Sequence, residues 1–272
     1  MITTYLQQQS EHLKKIISAL PAFSSKDFAY FVERLYAKLP IDDLIALEPK
    51  TAIALAKDSF EFMGERKGGA PKIRIFTPDK KHHGYEVKHV VLELINDDMP
   101  FLVDSLSMEL VRRGFAIYNT IHPIINVSRD KNGKFSTLGD KSEKKESFIH
   151  FEISALPEGT TSEQLILDLQ WILENVRASV EDWQKIMEKA QLAANSLKSY
   201  SQPAGTDSIE EVHDFLEWVV DKNFVFLGYA EYQFFDDKGN EIFAVITDSK
   251  LGILKVADET APRGLEALQA EQ

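Results

Sequence analysis

The 272-residue sequence predicts an α+β chain: a helical segment over 1–66, an antiparallel sheet with helices on one face over 71–198, then a helix and a β-hairpin over 208–272. Three observations lead there. Apolar residues recur at three- and four-residue spacing through the first sixty or so positions, the spacing of a helix face. From residue 71 the period shortens to that of strands. Further on, SYSQPAGTD over 199–207 has the Ser/Pro/Gly composition of a linker.

Within the helical segment, Leu13, Ile16, Ile17 and Leu20 form one stripe, and Phe28, Phe31, Val32, Leu35 and Leu39 a second. Ser24 or Ser25 caps the second helix and Pro40 ends it. Two more stripes run through Leu44 to Leu47 and Ile53 to Phe62, closing at Gly64, and Gly68-Gly69 marks a joint. Ile73, Ile75 and the run Val87 to Ile95 then follow strand spacing. Pro100 to Arg113 is helical, with Asp98 as a natural N-cap and Gly114 as its stop. Ile117, Ile121, Ile125 and Val127 alternate inward on the next strand. The polar stretch from Arg129 to Glu146 reads as a long solvated hairpin loop before a strand at Phe148 to Ala155.

From Leu165 to Leu197 one stripe continues without a proline, as one long helix or two nearly collinear ones. The chain thus stays helical where a ferredoxin-like sheet would return its last strand. Residues 71–77 can take that place through a hairpin with 85–95, so the sheet is expected to be ferredoxin-like but permuted. After the linker come a helix over Ile209 to Val220 and the run FVFLGYAEYQFF, turned by DDKGN into EIFAVIT. The aromatic residues of this hairpin exceed what two strands bury alone, so it must lean on another surface. The tail over 257–272 offers little to pack and reads as a cut inside a longer polypeptide.

Composition narrows the function. A net charge of −12 with no Lys/Arg stripe argues against nucleic acid as a partner. The absence of cysteine removes disulfides, thiolate catalysis and Cys-based metal sites. No apolar run approaches a membrane span, and MITTYLQQQSEHLKK lacks the features of a signal peptide, so a cytoplasmic protein without a membrane partner is expected. No GxGxxG, GxxxxGK, GxSxG or HExxH occurs, which leaves no cofactor cradle and no hydrolytic motif. Asp79 with His82-His83 falls on a turn and is read as a solvated loop rather than a metal site.

Two groupings carry possible chemistry. His89 and Glu93, Tyr118 and His122, and His150 and Glu152 alternate on three candidate strands and can share a sheet face. Such a pattern suits acid–base work, but it also arises wherever a sheet turns its second face to water or to another domain, which is the favoured reading. The second grouping is NDDMPFLVDS, where two carboxylates stand at a strand end just before a helix. Asp97 or Asp98 can meet an ammonium while amides of the helix start meet a carboxylate, an arrangement sized for an amino acid. On the residues alone, a capped helix start is the plainer account.

VVLELINDDMPFLVDSLSMELVRRG, IHPIINVSRDKNGKF, ESFIHFEI and NFVFLGYAEYQFF, in this order over residues 90–235, resemble consecutive landmarks of the large bacterial NAD-specific glutamate dehydrogenases. The resemblance implies an amino-terminal ACT-like region. In that family a distant carboxyl-terminal domain binds NAD and glutamate and carries the catalytic lysines; nothing here matches it. The implied roles are therefore regulation or assembly, with no catalytic residue and no cofactor in this fragment. The implied whole enzyme uses NAD, oxidatively deaminates glutamate to 2-oxoglutarate, forms a homo-oligomer and pairs this region with its own downstream dehydrogenase domain. The alternative is a stand-alone amino-acid-binding ACT-type sensor. The ACT pattern Asp-x-Pro-Gly is matched by Asp98, Met99 and Pro100, but Phe101 replaces the glycine. Asn96, Asp97, Asp98, Met99 and Pro100 are accordingly the effector-binding candidates, in a pocket made shallow by Phe101.

Overall fold

The computed structural model describes residues 2–139, 141–142, 144–199, 208–237 and 240–256. The chain groups into two units, Met1–Ile172 and Leu173–Gln272, whose boundary falls inside one long helix.

The first unit opens with four helices: α1 (Ile2–Ser18), α2 (Lys26–Tyr36), α3 (Ile41–Ala46) and α4 (Pro49–Met63). The Ser25 hydroxyl accepts the Phe28 N–H at 3.1 Å and so caps α2. α2 stops at Tyr36, short of Pro40, which instead stands at the N-cap of α3. Phe31, Val32, Leu35 and Tyr36 form the buried stripe of α2, and Ala52, Leu55, Ala56, Ser59 and Met63 that of α4.

Six strands follow: β1 (Lys72–Phe76), β2 (Val90–Asp97), β3 (Ile117–Ile121), β4 (Ile124–Arg129), β5 (Phe135–Leu138) and β6 (Lys144–Ile153). They form one antiparallel sheet in the order β1-β2-β6-β4-β5, with β3 also on β6. Residues 71–77 enter it as expected, with Lys72 opposite Ile95 and Phe76 opposite Val91. Two expectations are corrected. The single strand from Ile117 to Val127 is two, because Pro123 has no N–H to give the ladder; β3 lies along the carboxyl-terminal half of β6 and β4 along its amino-terminal half. The stretch 129–146 is not one loop, since it contains β5 and the start of β6. Its apparent polarity hides a tight turn, in which the Asp130 carboxylate accepts the N–H groups of Asn132 and Lys134.

Alternation places Val91, Glu93, Ile95 and Asp97 of β2 on one face and Leu92, Leu94 and Asn96 on the other. On the first, Ile95, Phe148, Ile121, Ile125 and Val127 share a core with Phe31, Leu35, Tyr36 and Leu55 of the helices. The rings of Phe31 and Phe148 meet edge-on, 5.6 Å apart. Leu92, Leu94, Ile149 and Phe151 are fully buried on the second face. The apolar stripes that match it are Leu102, Leu106 and Leu110 of α5 (Leu102–Arg112) and Leu165 and Leu169 of α6 (Ser162–Ser196), all buried as well. Each such side chain contributes roughly 1.5–3 kcal/mol. The two sheet-crossing helices thus share one face as expected, and the amino-terminal helices close the other.

The second unit holds the rest of α6, then α7 (Ile209–Trp218), a wide turn over Val219–Asn223, the hairpin β7 (Gly228–Asp237) and β8 (Asn240–Gly252), and α8 (Ile253–Val256). α6 is one continuous helix of 35 residues. The hairpin leans on its second half: the Gly252 N–H donates to Asp182 Oδ2 at 3.0 Å, Ser179 Oγ to the Leu227 carbonyl at 3.0 Å, and Lys189 Nζ to Glu231 at 2.7 Å. Residues 200–207 of the linker and the tail over 257–272 lie outside the described residues.

Candidate functional site

The candidate turn runs from the end of β2 to the start of α5. Asn96 is buried, and its amide donates to the Asp97 carbonyl at 3.1 Å. The Asp98 N–H donates to the Lys145 carbonyl at 3.0 Å, so the backbone still follows β6 at this point. Asp98 is therefore not the N-cap: α5 begins at Leu102 and the capping position is Phe101. The Asp98 carboxylate instead accepts the Ser147 hydroxyl at 2.8 Å. Met99 is partly buried and Pro100 exposed.

Phe101 adopts the left-handed conformation, φ 69°, that the ACT pattern's glycine would supply without strain. For a side-chain-bearing residue this costs about 1–2 kcal/mol. The turn thus keeps the glycine's geometry while carrying an aromatic ring that is 46% exposed.

Asp97 lies directly opposite Glu146 on β6, and two like charges in register repel. Arg66, from the joint between α4 and β1, resolves the conflict by donating to Asp97 at 2.8 Å and to Glu146 at 2.7 Å. Arg129 adds a two-pronged contact to Glu146, at 2.8 Å through Nε and 2.8 Å through Nη2. Arg66 is held in turn by its Nε bond to the Ala70 carbonyl and by a backbone bond from its N–H to Gly133. Gly133 has φ +84°, and a Cβ there would stand 2.2 Å from the Arg66 carbonyl oxygen, so only glycine fits. Arg66, Arg129, Glu146 and Ser147 escaped the sequence reading; the signal for them was the β2–β6 register, which sets acid against acid.

Four residues back on the same face, a second polar row crosses three strands. Arg74 of β1 is opposite Glu93 of β2, which is opposite His150 of β6. Glu93 accepts from Ser59 Oγ at 2.6 Å and from Arg74 Nε at 2.8 Å, and lies 2.9 Å from His150 Nδ1. Arg74 also reaches Asp58 at 2.6 Å. Burial alone would push the Glu93 carboxyl up, yet His150, Arg74 and Ser59 together hold it below the usual carboxylate range. Glu93 and His150 are both wholly inaccessible to solvent. The shared His/Glu face is thus real for these two but is sealed by α4 rather than turned to water. The other members part company: His89 stacks on Tyr118, Glu152 accepts from Asn119, and His122 turns to Ser147 at 3.0 Å. At the centre of this row two ionisable groups are thus buried, and partners from three elements satisfy Glu93 there.

Asp79 accepts the Lys81 and His82 N–H groups and meets the His82 ring at 2.9 Å, while His83 stacks on Phe76. Among the described residues no group of three or more His, Cys, Asp or Glu could hold a metal ion. Among them, too, no helix is long and apolar enough to cross a membrane.

Comparison with known proteins places this geometry. The chain is 29% identical over 258 residues to an NAD-specific glutamate dehydrogenase of Halomonas elongata, an alignment covering 92% of this chain and 16% of that protein. It is 26% identical over 231 residues to an NAD-specific glutamate dehydrogenase of Pseudomonas aeruginosa, covering 83% of this chain and 14% of that one. The chain therefore spans about a sixth of the length of these relatives. Residues 31–169, which include the whole sheet, the candidate turn and both polar rows, match the family described as glutamate dehydrogenase, ACT1 domain, and the chain belongs to that family.

Proposed function

We propose that this chain is a non-catalytic regulatory and assembly region of an NAD-specific glutamate dehydrogenase, whose whole enzyme converts glutamate to 2-oxoglutarate. One observation carries this reading: the polar residues that could do chemistry are tied to one another. Glu93 and His150 are sealed between helix and sheet, and both carboxylates of the turn are engaged by Arg66 and Ser147. The described strands pair antiparallel, and the sequence carries no GxGxxG fingerprint, which supports placing NAD in another part of the enzyme. Glutamate turnover then belongs to a downstream dehydrogenase domain, and the protein works in the cytoplasm as a homo-oligomer.

Within that role, the turn over Asn96, Asp97, Asp98, Met99 and Pro100 is the effector-facing element. Asp97 keeps 35% of its side chain exposed, so an amino-acid ammonium can share it with Arg66. Calorimetry with a panel of amino acids on the chain and on its Asp97→Ala and Asp98→Ala variants tests this. Loss of binding in either folded variant supports an effector turn; identical binding in both leaves the turn a structural lock. The same preparation, assayed with glutamate and NAD, should show no turnover. A stand-alone amino-acid sensor would instead bind tightly without any further domain.

A further inference from the structure

We propose that the exposed face of α5 docks on the same face of a second copy of this chain, the two helices running antiparallel about a two-fold axis at Met108. One stripe of α5, Leu102, Leu106 and Leu110, is buried. A second stripe, Phe101, Asp104, Met108 and Val111, is exposed throughout. Its three- and four-residue spacing is that of a helix–helix seam, and only Asp104 in it is polar. Met108 is 73% and Val111 62% exposed. Arg113 reaches Asp168 of α6 at 2.7 Å, which brings the exposed Leu167 and Trp171 of α6 beside the end of this stripe. A single apolar residue at a surface is ordinary, whereas a contiguous row of them marks a contact.

The charges on this face select the occupant. Asp104 and Arg112 stand four residues before and four after Met108, about 6 Å to either side of it along the helix. Antiparallel pairing about Met108 sets each Asp104 against the second copy's Arg112, twice over by symmetry, while parallel pairing would set like against like. Both side chains are exposed, and among the described residues the Asp104 carboxylate has no hydrogen bond or ion pair. Glu109 is met by Arg113 as well as by Arg112, so the Arg112 guanidinium can turn outward without leaving that carboxylate bare. The shape agrees with the charges. Phe101, seven residues before Met108, comes opposite Gly114, six after it, where a Cβ would meet nothing within 4 Å. That open space takes the ring, and the docking gives a reason for an aromatic side chain held in the left-handed conformation. The face is narrow, so a weak dimer is expected, with a Kd on the order of 10–100 μM. Self-association through α5 gives the assembly role proposed above a surface, and it rests on that role without needing an effector.

Analytical ultracentrifugation of the chain between roughly 1 μM and 1 mM should show a monomer–dimer equilibrium. Met108→Lys, at an exposed position, should weaken it roughly tenfold or more while the circular dichroism spectrum stays that of the natural chain. Asp104→Arg alone and Arg112→Asp alone should each stay monomeric, because either homodimer sets like charges together twice. An equimolar mixture of the two should dimerise, because the mixed pair restores both contacts. Hydrogen exchange reads the same face without any substitution: the α5 amides of the natural chain should gain protection as its concentration rises. A mixture no more associated than its components, or α5 protection that does not change as a dimer forms, overturns the interface. A dimer untouched by Met108→Lys also overturns it, but leaves the assembly role standing on a different surface. A monomer over the whole range removes self-assembly by this region altogether and leaves the face of α5 to another part of the enzyme.

Discussion

Glu93 and Asp97 are both acids on the same face of the same strand, four residues apart, and each is met by an arginine from elsewhere in the chain. Their surroundings nevertheless differ in kind. Glu93 is sealed and has three different partners, from α4, β1 and β6. Asp97 stands at the strand end, a third exposed, and its arginine is shared with Glu146. An ion pair out of water must be complete to be tolerated, whereas one at the rim can exchange partners at little cost. The middle of β2 is therefore a structural lock, and its end is where a ligand can intervene.

The largest expected effect breaks the lock. Glu93→Ala leaves His150 and Arg74 facing a cavity and should cost about 3–5 kcal/mol in denaturant unfolding, with Glu93→Gln costing less because the amide keeps some hydrogen bonds. A loss no larger than that of an exposed carboxylate would erase the contrast between the two positions. Acid probes the same residue. Its carboxyl is held below the unfolded value, so its contribution is complete above about pH 4.3 and is lost as the pH falls through the lower folded value. An acid-unfolding curve should therefore be shallower for Glu93→Gln than for the natural chain.

Arg66→Ala comes next, at about 2 kcal/mol, since Glu146 keeps Arg129 while Asp97 turns to water. Asp97→Asn should cost no more than about 1 kcal/mol, because its partner remains satisfied by Glu146. If Asp97→Asn proved as damaging as Arg66→Ala, the strand end would be a lock like the strand middle. The smallest effect sharpens the turn itself. Phe101→Gly relieves the left-handed strain but frees the unfolded chain, so a gain of at most about 1 kcal/mol is expected from thermal unfolding. A clear loss would mean that the aromatic ring is packed for a purpose.

The hairpin of the second unit offers a milder contrast. Phe234 and Phe243 pack as a cross-strand pair with centroids 5.4 Å apart, yet both remain half exposed. The polar contacts to α6 through Asp182, Ser179 and Lys189 fix the hairpin without covering that surface.

The sequence by itself determined the elements whose cause is local. Periodicity placed the four amino-terminal helices, the long α6 and the hairpin that brings β1 beside β2, because spacing and turn residues act within a few positions. It also located the unusual turn, since Asp98, Met99, Pro100 and the missing glycine are adjacent in the chain. What only the tertiary structure decided is which polar groups lose their water. Alternation could show that Glu93 and His150 share a face, but not that α4 would be laid over it. Register could not be read from the run of residues, so the opposition of Asp97 to Glu146, and with it the need for Arg66 from thirty-one residues away, stayed hidden. A residue's solvation depends on what packs above it and its neighbour on pairing across the sheet, and both are set by contacts distant in sequence.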